Sequence, residues 1–130
     1  MEKKKILLID DNLDFISMLK IRLEKSGYLV LSAASGEEGI KIVQANNPDL
    51  VIIDVLMPKM DGLTTMKEIN RISGRKIPII IMTGDAVMTR DAFELEGAKD
   101  FLIKPIDSIY LMNRLRELLN QNQQSSGGVA

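Results

Sequence analysis

Four short apolar runs stop on polar residues, and that punctuation constrains the fold more than anything else in the sequence. Ile6–Ile9 ends at Asp10-Asp11, Leu50–Ile53 at Asp54, Ile79–Met82 at Thr83, and Phe101–Ile103 at Lys104-Pro105. Runs this short and this apolar fit strands covered on both faces, as in a parallel sheet. Between them the pattern turns helical, with Phe15, Leu19 and Leu23 on one stripe. Strands are expected at 5–10, Leu29–Ala33, Leu50–Asp54, Pro78–Thr83 and Phe101–Ile103. Helices are expected at 12–26, closed by Gly27, and from Ser35-Gly36 through Gln44, stopped by Asn46-Asn47-Pro48. Three more should run from Asp61-Gly62 to Ile72, from Ala86 to Glu96 before Gly97, and from a cap at Asp107 to Leu119. The expected fold class is α/β: a single doubly wound (βα)5 domain, its five-stranded parallel sheet in order 2-1-3-4-5 with helices on both faces. The domain should occupy residues 1–120, with 121–130, rich in Gln, Ser and Gly, as a flexible C-terminal tail or linker.

Composition removes several kinds of chemistry. The chain has 130 residues, enough for one core without staples. It contains neither cysteine nor histidine. Disulfides, thiolate zinc sites, imidazole bases and Ser-His-Asp triads are therefore excluded. Any metal must be held by oxygen, which favours Mg²⁺, Mn²⁺ or Ca²⁺. Net charge is −1, so no bulk electrostatic footprint for nucleic acid exists. Lys3–Lys5 before Ile6–Ile9 mimics a signal peptide, but Asp10 and Asp11 end the apolar run too early. No stretch approaches the ~20 apolar residues of a membrane span. A soluble, cytoplasmic protein is the expectation.

The polar residues at the strand ends form a candidate site. In an open parallel sheet, ligands bind where the order of strands reverses, and the first and third strands flank that point. Asp10, Asp11 and Asp54 would meet there. At 4 Å and an effective dielectric of 20, each carboxylate pair costs on the order of 4 kcal/mol, which a divalent cation offsets. Asp54 can attack phosphorus to give an acyl phosphate. Such transfer needs positioning and charge neutralisation more than a base, which suits a site without histidine. Lys104 would supply a second cation, and a cis bond to Pro105 would fix its direction. Thr83 offers a hydroxyl to a phosphoryl oxygen, with room made by Gly84.

These residues resemble the receiver domain of two-component response regulators. The likeness rests on Ile6-Leu7-Leu8-Ile9-Asp10-Asp11-Asn12, the block from Asp54 to Gly62, Thr83-Gly84, and Gly97 through Pro105, and it covers residues 4–120. The resemblance implies a flavodoxin-like fold and a phosphoacceptor switch, with phosphoryl transfer from a histidine kinase or phosphotransfer protein to Asp54. It implies Mg²⁺, with Mn²⁺ as a substitute, ligated by Asp11, Asp54 and the Leu56 backbone carbonyl, and by Asp10 through water. It gives Lys104 a role against Asp54 or the phosphoryl group. Thr83 would move toward the phosphoryl group, and Phe101 would turn inward in response. Phe at 101 lacks the hydroxyl of the Tyr found in many relatives. The output surface would be the fourth helix, fifth strand and fifth helix, acting on a downstream effector protein or an attached effector domain. Leu56 and Asp85 lie where relatives tune phosphoryl lifetime, and an apolar Leu56 favours slow self-dephosphorylation. Apart from those self-reactions the chain is not expected to be an enzyme, to bind nucleic acid directly or to enter a membrane. Exposed Leu13, with Ile16 at its flank, is either incidental or a docking patch for the kinase.

Competing readings are weaker. A phosphatase of the haloacid-dehalogenase type would need Asp-x-Asp, whereas Asp10 and Asp11 are adjacent. A nucleotide or flavin module would need a phosphate-cradling loop after the first strand, and none of the usual glycine patterns is present. A phosphate-independent pseudo-receiver has no need of the complete acidic set.

Overall fold

The computed structural model describes residues 3–55, 61–84 and 90–127, with side chains described through 120. Strands and helices alternate from one end to the other: β1 (Lys5–Ile9), α1 (Leu13–Lys25), β2 (Leu29–Ala33), α2 (Gly36–Asn46), β3 (Leu50–Asp54), α3 (Gly62–Ser73), β4 (Ile79–Thr83), α4 (Asp91–Leu95), β5 (Asp100–Ile103) and α5 (Ser108–Gly127). All pairings are parallel and the order is β2-β1-β3-β4-β5, as the sequence leads one to expect.

Helix starts follow from side chains that accept the first free N–H groups. Asn12 accepts from Phe15 N–H, Ser35 from Glu38 N–H and Asp61 from Thr64 N–H. Asp107 caps α5 through the N–H groups of Ile109 and Tyr110. The stops are equally local. Gly27, at φ 97°, turns the chain after α1, and Asn47 adopts the left-handed conformation after α2.

Two boundaries differ from expectation. The fourth helix spans Asp91–Leu95 among the described residues, and the expected start from Ala86 lies outside them. The fifth continues to Gly127 rather than ending near Leu119. Its last turns carry Gln, Asn and Ser, which are only moderate helix formers but contain no proline to break the ladder.

Because side chains alternate across a strand, the sheet splits the core in two. Ile6, Leu8, Leu50, Ile52, Ile80 and Met82 pack on one face with Ile16, Leu19 and Leu23 of α1 and Leu111, Leu115 and Leu118 of α5. Leu7, Ile9, Val51, Ile53, Ile79 and Ile81 pack on the other with Val43 of α2, Met66 and Ile69 of α3, and Phe93 of α4. Both layers hold the strands rigidly, so the residues at their C-terminal ends stand on a fixed base.

Candidate functional site

Register brings the polar strand ends together. Ile9 is paired with Ile53, Asp54 with Met82, and Thr83 with Ile103. The residues one step beyond therefore emerge along one edge of the sheet. β1 lies between β2 and β3, so this edge contains the point where strand order reverses.

Asp10, Asp11 and Asp54 each place a carboxylate oxygen within 4.8 Å of the others. Asp10 is wholly buried, Asp54 is 5% exposed, and Asp11 faces solvent. Both Asp10 oxygens are engaged: Oδ1 accepts from Asn12 N–H at 2.9 Å and Oδ2 from Lys104 Nζ at 2.8 Å. Lys104 Nζ is 3.7 Å from Asp54 Oδ2, the partner that the resemblance implies alongside the phosphoryl group, and it lies nearer still to Asp10. The Lys104 N–H donates to the Thr83 carbonyl at 2.7 Å, which ties the end of β5 to the end of β4. The Lys104–Pro105 peptide is cis, as expected. Thr83 is fully buried. Gly84 beside it is exposed, and a Cβ added there would meet nothing within 4 Å. Leu56 and Asp85, also singled out from the sequence, lie outside the described residues.

Three carboxylates face one ammonium, so the cluster carries excess negative charge in a half-enclosed place. All donors are oxygen, and they suit a hard divalent cation such as Mg²⁺. The same arrangement accommodates the transfer of an anionic group onto Asp54, with Lys104 as a countercharge.

Two neighbours were not singled out as site residues from the sequence. Phe15 sets its ring 4.2 Å from Lys104 Nζ. Its spacing to Leu19 and Leu23 satisfied a core reading, and only its place in the first turn after Asp11 hinted otherwise. Arg90 stacks over Phe101 at 5.1 Å and donates to the Phe101 carbonyl at 3.0 Å. Phe101 is 7% exposed and meets Phe93 at a centroid distance of 5.8 Å, so its ring is already inward. Leu13 is exposed and Ile16 is buried.

Next to Phe101, Asp100 binds Tyr110 Oη and Arg114 Nε. Burial pushes the Asp100 carboxyl up, but the Tyr110 hydroxyl, the Phe101 N–H and Arg114 outweigh it and hold the group below its usual range. A lowered folded value means that Asp100 contributes stability in full above its unfolded value. That contribution is lost as pH falls through the folded value. Asp100→Asn is therefore expected to flatten the acid limb of stability against pH, measured by urea unfolding at descending pH. An unchanged acid limb would contradict the assignment.

Comparison with known proteins places these features in context. The family model described as response regulator receiver domain matches residues 6–116. The probable transcriptional regulator ycf27 of Cyanophora paradoxa is 42% identical over 123 residues, covering 93% of this chain and 50% of the relative. The alkaline phosphatase synthesis transcriptional regulatory protein PhoP of Bacillus subtilis is 34% identical over 121 residues, covering 92% of this chain and 50% of that protein. The chain thus spans about half the length of the curated relatives it matches. Among solved structures, the chemotaxis protein CheY4 of Vibrio cholerae has a TM-score of 0.83 at 30% identity, covering 91% of this chain and 100% of that one. A CheY-like receiver domain protein of Methanospirillum hungatei has a TM-score of 0.88 at 26% identity, covering 95% and 99%.

Proposed function

Since this chain belongs to the response regulator receiver domain family, we propose that it is a phosphoacceptor switch whose Asp54 takes a phosphoryl group from a histidine kinase or phosphotransfer protein. One observation carries this reading: Asp54, 5% exposed, shares its corner with Asp10 and Asp11 and lies 3.7 Å from the Lys104 ammonium.

In the reaction, an Asp54 oxygen attacks phosphorus as the bond from phosphorus to the donor breaks. The bonding pair leaves with the donor, and the product is an acyl phosphate. Asp11 and Asp54 would hold Mg²⁺ directly, together with the Leu56 carbonyl, and Asp10 would act through water. The two contacts already made by the Asp10 oxygens support that indirect role. When bound, the cation neutralises charge on the phosphoryl oxygens. Lys104 supplies a further positive charge there. Thr83, at the end of β4, donates its hydroxyl to the phosphoryl group, and its shift is read by Phe101 one strand away. A phosphoryl group moves such a pair only by binding two arrangements differently.

The output runs through α4, β5 and α5 to a downstream effector protein or an attached effector domain. The naming of ycf27 and PhoP as transcriptional regulators supports control of transcription as that output. A cytoplasmic location is part of this proposal and rests on the family; separately, no helix among the described residues is long and apolar enough to cross a membrane. Self-dephosphorylation should be slow.

The test is intact mass after incubation with acetyl phosphate and Mg²⁺, and after incubation with a phosphorylated cognate kinase. The expected result is a labile gain of one phosphoryl group, absent in Asp54→Asn and in chelator. Folded wild-type protein that gains none from either donor would overturn the reading in favour of a phosphate-independent interaction module.

A further inference from the structure

We infer that Phe15 is a positioning residue for the Lys104 ammonium, an inference that rests on the phosphoacceptor reading above. The ammonium sits between a carboxylate and a ring: 2.8 Å from Asp10 Oδ2 and 4.2 Å from the Phe15 centroid. Lys104 is only 19% exposed in its side chain. An ammonium removed from water gains more from an aromatic face than one at the surface.

A single short segment builds both walls of this seat. Asn12 donates its N–H to Asp10 Oδ1 at 2.9 Å, and its side chain accepts from Phe15 N–H at 3.0 Å. The loop from the end of β1 into the first turn of α1 therefore fixes the carboxylate and the Phe15 backbone relative to each other, and packing against the α1 cluster holds the ring. Lysine needs such help, being a point charge on a flexible stem. Asp10 and Asp54 hold it while no metal is bound. A divalent cation at the cluster competes for those carboxylates and repels the ammonium. The ring attracts the ammonium but cannot ligate the metal, so it keeps Lys104 at the site whatever the carboxylates hold.

Phe15 also packs against the cluster that contains Leu19. A role confined to packing makes the electronics of the ring irrelevant, and this separates the two readings. The first measurement is the proton shift of the Lys104 ε-methylene, assigned with Lys104→Arg. It should move upfield through the ring current in wild type and in Phe15→Tyr, and return to its ordinary value in Phe15→Leu. The second is the rate of phosphoryl gain from acetyl phosphate with Mg²⁺ in full-length chains carrying mono-, di- and trifluorinated phenylalanine at 15. Fluorine weakens the ring face and barely changes its size. Rates should fall stepwise with fluorine count to roughly fivefold below wild type, with Phe15→Leu as slow and Phe15→Tyr near normal. Absence of the ring-current shift would remove the geometry. A clear shift with equal rates across the series would reduce Phe15 to packing. A wild-type chain showing the shift but gaining no phosphoryl group from any donor would overturn the phosphoacceptor reading, and the positioning role with it.

Discussion

In chelator, Lys104→Met is expected to lower the free energy of unfolding by on the order of 3 kcal/mol, and millimolar Mg²⁺ is expected to recover much of the loss. The ammonium lies 2.8 Å from one carboxylate and 3.7 Å from another. Asp10 is wholly buried and the Asp54 side chain is 8% exposed. Without the ammonium, these groups and Asp11 repel one another across less than 4.8 Å with little water to screen them. Methionine keeps much of the stem's packing, so the change is mainly one of charge. A cation that binds only the folded state adds stability as its concentration rises above its dissociation constant. The gain from Mg²⁺ should therefore exceed that in wild type, where the ammonium already offsets part of the repulsion. Urea unfolding with and without Mg²⁺ measures both quantities. Equal stability of variant and wild type in chelator would show that the ammonium does not compensate the cluster.

The second large effect is expected at Gly62. A Cβ built there would lie 2.6 Å from the Val55 Cα and 3.1 Å from the Asp54 carbonyl oxygen. Both are backbone atoms, so the start of α3 or the end of β3 must move. Gly62→Ala should cost about 3 kcal/mol, near the upper end for overpacking. It should also slow phosphoryl gain, because β3 carries Asp54. Gly39→Ala provides the contrast. The conflict there is with Cδ1 and Cγ1 of Ile9, side-chain rather than backbone atoms, so a rotamer change can relieve what at Gly62 needs the backbone to move. Its cost should be smaller, and the rate at Asp54 unchanged. Equal losses in the two variants would mean that backbone and side-chain crowding are not distinguished here.

Three of the five strands were legible as apolar runs, because β1, β3 and β4 are buried on both faces, whereas β2 and β5 are partly exposed and β2 carries Ser32 within it. Leu50–Ile53 and Ile79–Met82, short runs rich in β-branched residues, read as strands by length and composition, and both are fully buried. The aspartates, Thr83 and Lys104 were legible as a set because each ends such a run, and topology then brings those ends to one edge. What the sequence concealed was which side chain touches which. Whether Lys104 prefers Asp10 or Asp54 depends on distances below one residue's rise. The contact of Phe15 with Lys104 joins residues far apart in the chain, and helical spacing had already accounted for Phe15 as core. Arg90 over Phe101 leaves no periodic trace at all. The end of α5 was misjudged for a different reason. Gln and Asn runs carry little apolar patterning, yet their propensities permit helix to Gly127.

The two-sided core has a consequence for how such a chain can change over generations. Residues that define the layer of α1 and α5 pack in one apolar cluster, and those that define the layer of α2, α3 and α4 pack in another. Substitutions that share no partners combine additively. A lineage can therefore rewrite one helical layer without first repairing the other, because the sheet acts as a partition against epistasis. Adjacent residues of β5 face opposite ways, with Phe101 in one cluster and Leu102 against the other. Within each layer, residues that touch remain coupled, and the two layers constrain each other only along the strands that both must share.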